Sequence, residues 1–168
     1  FLSYANDMKI FCIRPATVCG VSPRMRLDVS VNILTFSALK NNLIRVFGGN
    51  QIRPNIHIDD ICGVYEFFIS KSKDIPSGCY NAGFENISIL DIARRVKEKL
   101  SDTNIEILPS NDPRSYRQCS DLLLGLGYKP SKSVDDAIED IIKSYKSGNL
   151  NTSNMAYTVK RMKELAIK

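Results

Sequence analysis

The chain has 168 residues, is 43% apolar and carries a net charge of +5. That composition excludes a disordered chain, and no apolar run approaches the roughly 20 residues of a membrane span. The charge is mild and lacks a basic stripe with interleaved aromatics, so neither a nucleic-acid partner nor a membrane is expected; the charge suits a small anionic ligand or simply a solvated surface.

The sequence shows no basic–apolar–small-residue pattern that would argue for export, and the five cysteines (Cys12, Cys19, Cys62, Cys79 and Cys119) form no CxxC pair. The expectation is a reduced, cytoplasmic protein, with Cys12 and Cys62 packed as core thiols. With a single histidine, His57, no metal site is expected.

In chain order, Phe1, Leu2 and Tyr4 read as the last turn of a helix feeding the strand Lys9–Arg14. The chain thus starts in mid-pattern, and a fragment with its N-terminal part missing is expected. Residues 15–27 read as a loop with Pro15, Gly20 and Pro23, after which Asp28 caps a helix running to Lys40. Its apolar residues lie all round, which predicts cover on most sides. Leu43–Phe47 reads as a short strand, and Gly48-Gly49 as a turn. Asn55–Ile58 alternates like a strand. Asp59 or Asp60 then caps a helix with Ile61, Val64, Tyr65, Phe68 and Ile69 on one face. Cys79–Ala82 is the next strand.

The capping box Ser88-Ile89-Leu90-Asp91 opens another helix, followed by the strand Ile105–Leu108. A polar loop, 109–119, leads to one or two helical turns over Ser120–Leu124. A second capping box, Ser133–Asp136, opens a helix that stops at Gly148. The remainder, 149–168, is polar and weakly helical. The class is α/β, with short strands and covering helices. The expected domains are 1–148, the end of a Rossmann sheet plus a substrate-binding subdomain, and the tail 149–168.

The candidate ligand residues are mostly arginines. Arg53 follows the Gly48-Gly49 turn and precedes Pro54, which biases it toward extended backbone. A guanidinium held on so stiff a support can grip a phosphate or carboxylate with both arms. It can equally be a surface residue paired with Asp59 or Asp60. Arg114 also neighbours a proline, in Asp112-Pro113-Arg114-Ser115-Tyr116-Arg117. Two such arginines could hold a diphosphate from both sides if their loops meet, which spacing cannot decide. Arg14-Pro15-Ala16-Thr17-Val18-Cys19-Gly20 leaves a buried strand, where open α/β sheets bind ligands. Arg24 and Arg26 precede a helix N-terminus, an anion-attracting position. Asn32 lies in the first turn of that apolar helix, so its amide bonds either backbone or ligand. His57 reads as structural, and Asp59-Asp60 as a helix cap.

Taken in order, RPATVCG, SPRMR with VN, VFGGNQIRPNIHIDD and DPRSYR resemble the C-terminal half of the extended short-chain dehydrogenase/reductases. More narrowly, they look like the NAD-dependent nucleotide-sugar epimerases and dehydratases. The resemblance covers about residues 1–147. It implies a Rossmann-type fold whose N-terminal dinucleotide-binding half, with the catalytic tyrosine and lysine, lies outside this chain. Here Tyr4 is followed by Met8 rather than lysine, and no glycine-rich dinucleotide turn is present. Cys19 and Asn55 stand where relatives often carry tyrosine and aspartate. By resemblance, Pro15 and Val18 face the NAD cofactor, and Thr17, Arg24 and Asn32 face the substrate. Ile44, Val46 and Phe47 border its base, and Arg53 and Arg114 grip its phosphates. The implied function is the substrate-binding portion of an epimerase or dehydratase, homodimeric in its full-length form and inactive as this portion alone. A reductase on a non-nucleotide substrate, or an inactive protein-interaction module, are the alternatives.

Overall fold

A computed structural model describes residues 1–166. A single 3₁₀ turn over Leu2–Tyr4 leads to β1 (Phe11–Pro15) and β2 (Thr17–Cys19). Helix α1 (Ser30–Asn41), β3 (Leu43–Phe47), β4 (Ile52–His57) and α2 (Ile58–Ser70) follow. Next come β5 (Gly78–Ala82), β6 (Glu85–Ser88), α3 (Ile89–Lys99) and β7 (Asn104–Leu108). The chain closes with α4 (Asp121–Gly125), α5 (Val134–Lys146) and α6 (Thr158–Glu164).

The strands form three small sheets. β1 pairs parallel with β5, and β3 parallel with β7. β4 is central to the third, parallel to β2 and antiparallel to β6. β2 and β6 extend the expected strand set. Both are short, and their extended conformation comes from pairing with β4 rather than from an apolar period of their own.

Three apolar clusters hold the layers together. Val31, Leu34 and Ala38 of α1 pack with Ile44, Val46, Ile92, Val96 and Ile138. Ile61, Val64 and Phe68 of α2 pack with Ile75, Tyr80 and Leu123. Met25, Leu27, Phe36 and Ile141 close the third around Ala156. Helix α1 is therefore covered on most sides, with Ile33 partly exposed. The weakly helical tail becomes a 3₁₀ turn (Asn154–Ala156) and α6, its last two residues lying outside the described ones.

Some helix starts differ from expectation. Helix α1 begins after Val29, not at Asp28, whose carboxylate accepts instead from Arg26 Nε and Thr158 N, both at 2.9 Å. Neither Asp59 nor Asp60 caps α2. His57 Nδ1 accepts from Asp59 N at 3.1 Å, and buried Asp60 is spent elsewhere, on the loop before α5. The Ser133–Asp136 box is complete, while Ser88 Oγ accepts from Asp91 N.

Tyr65 and Ile69 are exposed, because the stripe Ile61, Val64 and Phe68 alone meets the core and each lies one residue past it. Cys62 is exposed too, so it is not a core thiol. Cys19 is the buried one. Burial, reinforced by the charge of Glu85, pushes its thiol up to about 12, which makes it an unreactive packing group.

Candidate functional site

At Ala16 the chain changes sheets. Its amide donates to Ala82 O at 2.8 Å, and Thr17 then pairs with Asn55. The crevice outside this change is a cavity of about 540 Å³ lined by Pro15, Thr17, Val18, Arg26, Arg117 and Gln118, among others. A second cavity, about 840 Å³, lies along α1 and β3, lined by Ile33, Ser37, Leu43, Arg45, Phe47 and Asp112 among others. Asp112 borders the second cavity and Tyr116 the first.

Arg53 stands between these two residues. Its Nη2 donates to Asp112 Oδ2 at 3.3 Å, and its Nη1 to Ile52 O at 3.1 Å and to Arg114 O. Its guanidinium carbon lies 5.3 Å from the centre of the Tyr116 ring. Arg114 meets the same carboxylate through Nε and Nη2, both at 2.7 Å. The two proline-braced arginines therefore converge, and the anion they converge on is Asp112. Hydrogen bonds from Arg114, assisted by the Arg53 charge, hold that carboxyl well below the usual carboxylate range. A depressed group gives up its charge only as pH falls through its lowered pKa. Near neutrality Asp112 stays ionised, and a competing anion, not a proton, is what could release the arginines.

The loop carrying these groups is pinned by amide side chains. Asn86 accepts from Gln118 N at 2.8 Å and donates to Gln118 O at 3.0 Å. Asn81 donates to Cys119 O, and Ser120 Oγ both accepts from and donates to the Gly83 backbone. Gly83 has to be glycine here: a Cβ would strike the Gln118 amide and come within 2.6 Å of Ala16 Cβ. That close approach sets one wall of the smaller cavity.

Several expected contacts differ. Ile44 and Val46 are fully buried in the core, because strand alternation turns the odd-numbered residues Leu43, Arg45 and Phe47 to the cavity instead. Of the three base-bordering residues, only Phe47 is placed to touch a ligand. Asn32 is spent on backbone: its Oδ1 accepts from Gly20 N at 3.1 Å and its Nδ2 donates to Arg26 O at 2.8 Å. It is a staple, not a ligand contact. Asn32→Leu leaves the buried Gly20 N–H and the part-buried Arg26 carbonyl without partners, an expected loss of about 2–4 kcal/mol by urea denaturation. Arg24 lines neither cavity, whereas Arg26 does.

Asp112, Tyr116, Arg117 and Gln118 complete the site unanticipated as ligand residues. DPRSYR was legible as a loop, but only the loop's docking shows which side chains face the cavities. His57 lies with Asp59 and Asp140 in a grouping of metal-ligand types. Its Nδ1 is occupied by Asp59 N, which leaves the proton on Nε2, facing Asp140 Oδ2 at 3.4 Å. In that tautomer the ring has no free lone pair for a metal.

No family model matches the chain. Among solved structures it is similar to the UDP-glucuronic acid 4-epimerase of Bacillus cereus, determined with UDP-glucuronic acid and NAD, with 26% identity and a TM-score of 0.70 over 87% of this chain and 48% of that one. It is also similar to the dTDP-glucose 4,6-dehydratase of Bacillus anthracis, with 15% identity and a TM-score of 0.71 over 95% of this chain and 50% of that one. The ADP-L-glycero-D-manno-heptose-6-epimerase of Helicobacter pylori matches with 24% identity and a TM-score of 0.72, over 87% and 47%. The fold is that of the extended short-chain dehydrogenase/reductases, and its structural relatives are NAD-dependent nucleotide-sugar epimerases and dehydratases. The chain spans about half the length of these structures. No helix among the described residues is long and apolar enough to cross a membrane.

Proposed function

We propose that this chain is the substrate-binding portion of an NAD-dependent nucleotide-sugar epimerase or dehydratase, with residues 1–148 as its sheet end and substrate-binding subdomain. The observation that carries the reading is the convergence of Arg53 and Arg114 on one anion, Asp112, at the border of the larger cavity. The larger cavity, with Phe47 and Leu43 on its wall, suits a base and ribose. The smaller one, at the sheet change, suits a sugar. The diphosphate joining them takes the place of the Asp112 carboxylate.

Pro15 and Val18 line the smaller cavity with apolar side chains, against which a nicotinamide ring can lie. NAD, when bound, accepts and returns a hydride. The part played by this chain's own residues is placement. Arg53 and Arg114 hold the phosphates, so binding energy remote from the reacting carbon fixes the sugar's position.

The direct test is calorimetric titration of the chain with UDP, dTDP and their glucose conjugates. Saturable binding that inorganic diphosphate displaces supports the reading, and no binding of any of the four refutes it. Asp112→Asn keeps the side-chain shape and removes the competing charge. It is expected to raise diphosphate affinity by up to about fivefold, the scale of one exposed ion pair. A fall in affinity would mean that the carboxylate braces the arginines instead of occupying their site.

A further inference from the structure

We propose that the sugar taken by the smaller cavity bears a carboxylate, so that the ligand is a nucleoside-diphosphate uronate; the inference rests on the nucleotide-sugar reading above. Among the described residues, Arg26 and Arg117 are the only charged ones lining this cavity, and no acidic residue does so. The diphosphate is already served by Arg53 and Arg114, whose shared anion lies at the other cavity's border. Two guanidinium groups are therefore left over at the sugar's end.

A neutral hexose asks for partners that both donate and accept, because each hydroxyl does both. Guanidinium groups only donate. Gln118, the amide beside them, has one donor engaged on Arg14 O at 2.9 Å, and Thr17 and Tyr116 leave hydroxyls for the sugar's own hydroxyls. A donor-rich lining of this kind matches an acceptor-only group, and a carboxylate accepts from two forks at once.

Both arginines are free to serve. Asp28 engages Arg26 through Nε alone, at 2.9 Å, which leaves the terminal nitrogens without a partner among the described residues. Arg117 is in no ion pair among the described residues. It also borders a hollow containing Asp91 and Glu98, but Asp91 is paired with Arg94 instead.

Arg26 is held in place as well. Its carbonyl accepts from Asn32 Nδ2, Leu27 N donates to Ala156 O at 2.7 Å, and Asp28 also binds Thr158 N. The C-terminal segment thus straps down the stretch that carries the charge. A charge fixed before the ligand arrives loses little entropy on binding it.

The test uses the 168-residue chain and three probes: UDP, UDP-glucose and UDP-glucuronate. UDP-glucuronate is expected to bind about tenfold or more tightly than UDP-glucose, the scale of charge-assisted hydrogen bonds. Arg26→Gln and Arg117→Gln, both at solvent-accessible positions, are each expected to pull the uronate affinity down toward that of UDP-glucose. If UDP-glucose binds as well as the uronate, or both variants keep the preference, the carboxylate inference falls while the nucleotide-sugar reading stands. If none of the three probes binds, both fall together.

Discussion

Arg53→Ala is expected to weaken binding of a nucleoside-diphosphate sugar by about 2–5 kcal/mol, or roughly 30- to 4,000-fold. The size follows from burial. The Arg53 side chain is only 15% exposed, against 75% for Arg114. A charge shielded from water gains more from an anionic partner, and truncating it leaves that partner unpaired in the same shielded place. Arg53 is also oriented before the ligand arrives, by Ile52 O, Arg114 O and the Tyr116 face. Arg114→Ala is expected to cost less, because its head is hydrated and screened by salt. Arg53→Lys keeps the charge but loses the planar fork, and should recover only part of the affinity. Calorimetry on the three variants decides the matter. If Arg53→Ala stays within twofold of the parent, or Arg114→Ala costs more, Arg53 is not the main grip on the diphosphate.

Asp60→Ala is expected to destabilise the fold by about 3–5 kcal/mol, the loss of two or more hydrogen bonds to one buried charge. Asp60 is 1% exposed. It is in no ion pair among the described residues and is satisfied by neutral donors: Ser131 N at 2.9 Å, Ser131 Oγ at 3.1 Å and Lys132 N at 3.1 Å. Its place in the first turn of α2 adds the favourable end of the helix dipole. Tyr128 Oη donates to the Asp60 carbonyl at 2.8 Å, and burial together with the Asp60 charge pushes that phenol far up, so it remains a donor. One carboxylate thus ties the loop before α5 to the start of α2. Asp60→Asn, which keeps one acceptor oxygen, should fall between parent and alanine variant. The measurement is the urea midpoint with its slope. A loss below about 1 kcal/mol for Asp60→Ala would show that the loop is held mainly by its apolar contacts.

Two of the expected effects, at Asp60 and Asn32, lie at positions that local sequence described differently or left open. Asp60 reads as a cap because acidic residues favour helix starts, but His57 took the cap and left Asp60 for a partner 71 residues away. Asn32 kept two readings in the sequence, and packing chose backbone, because a buried amide beside a free Gly20 N–H and Arg26 C=O satisfies three groups at once. Helix starts set by adjacent residues were read more securely: the Ser133–Asp136 box forms with both of its hydrogen bonds. Strand β3 was legible as a strand, but which of its faces is wet depends on α1 and α3 lying over Ile44 and Val46.

The sequence by itself determined the α/β class, most helix positions and the stiff setting of Arg53, since each depends on residues within a turn or two of one another. Only the tertiary structure decided that Arg53 and Arg114, 61 residues apart, meet, that Asp112 sits between them, and that Arg26 rather than Arg24 reaches the cavity. Local preference is written in neighbouring side chains. The meeting of distant loops depends on how the sheets are joined and covered, and no spacing along the chain records that.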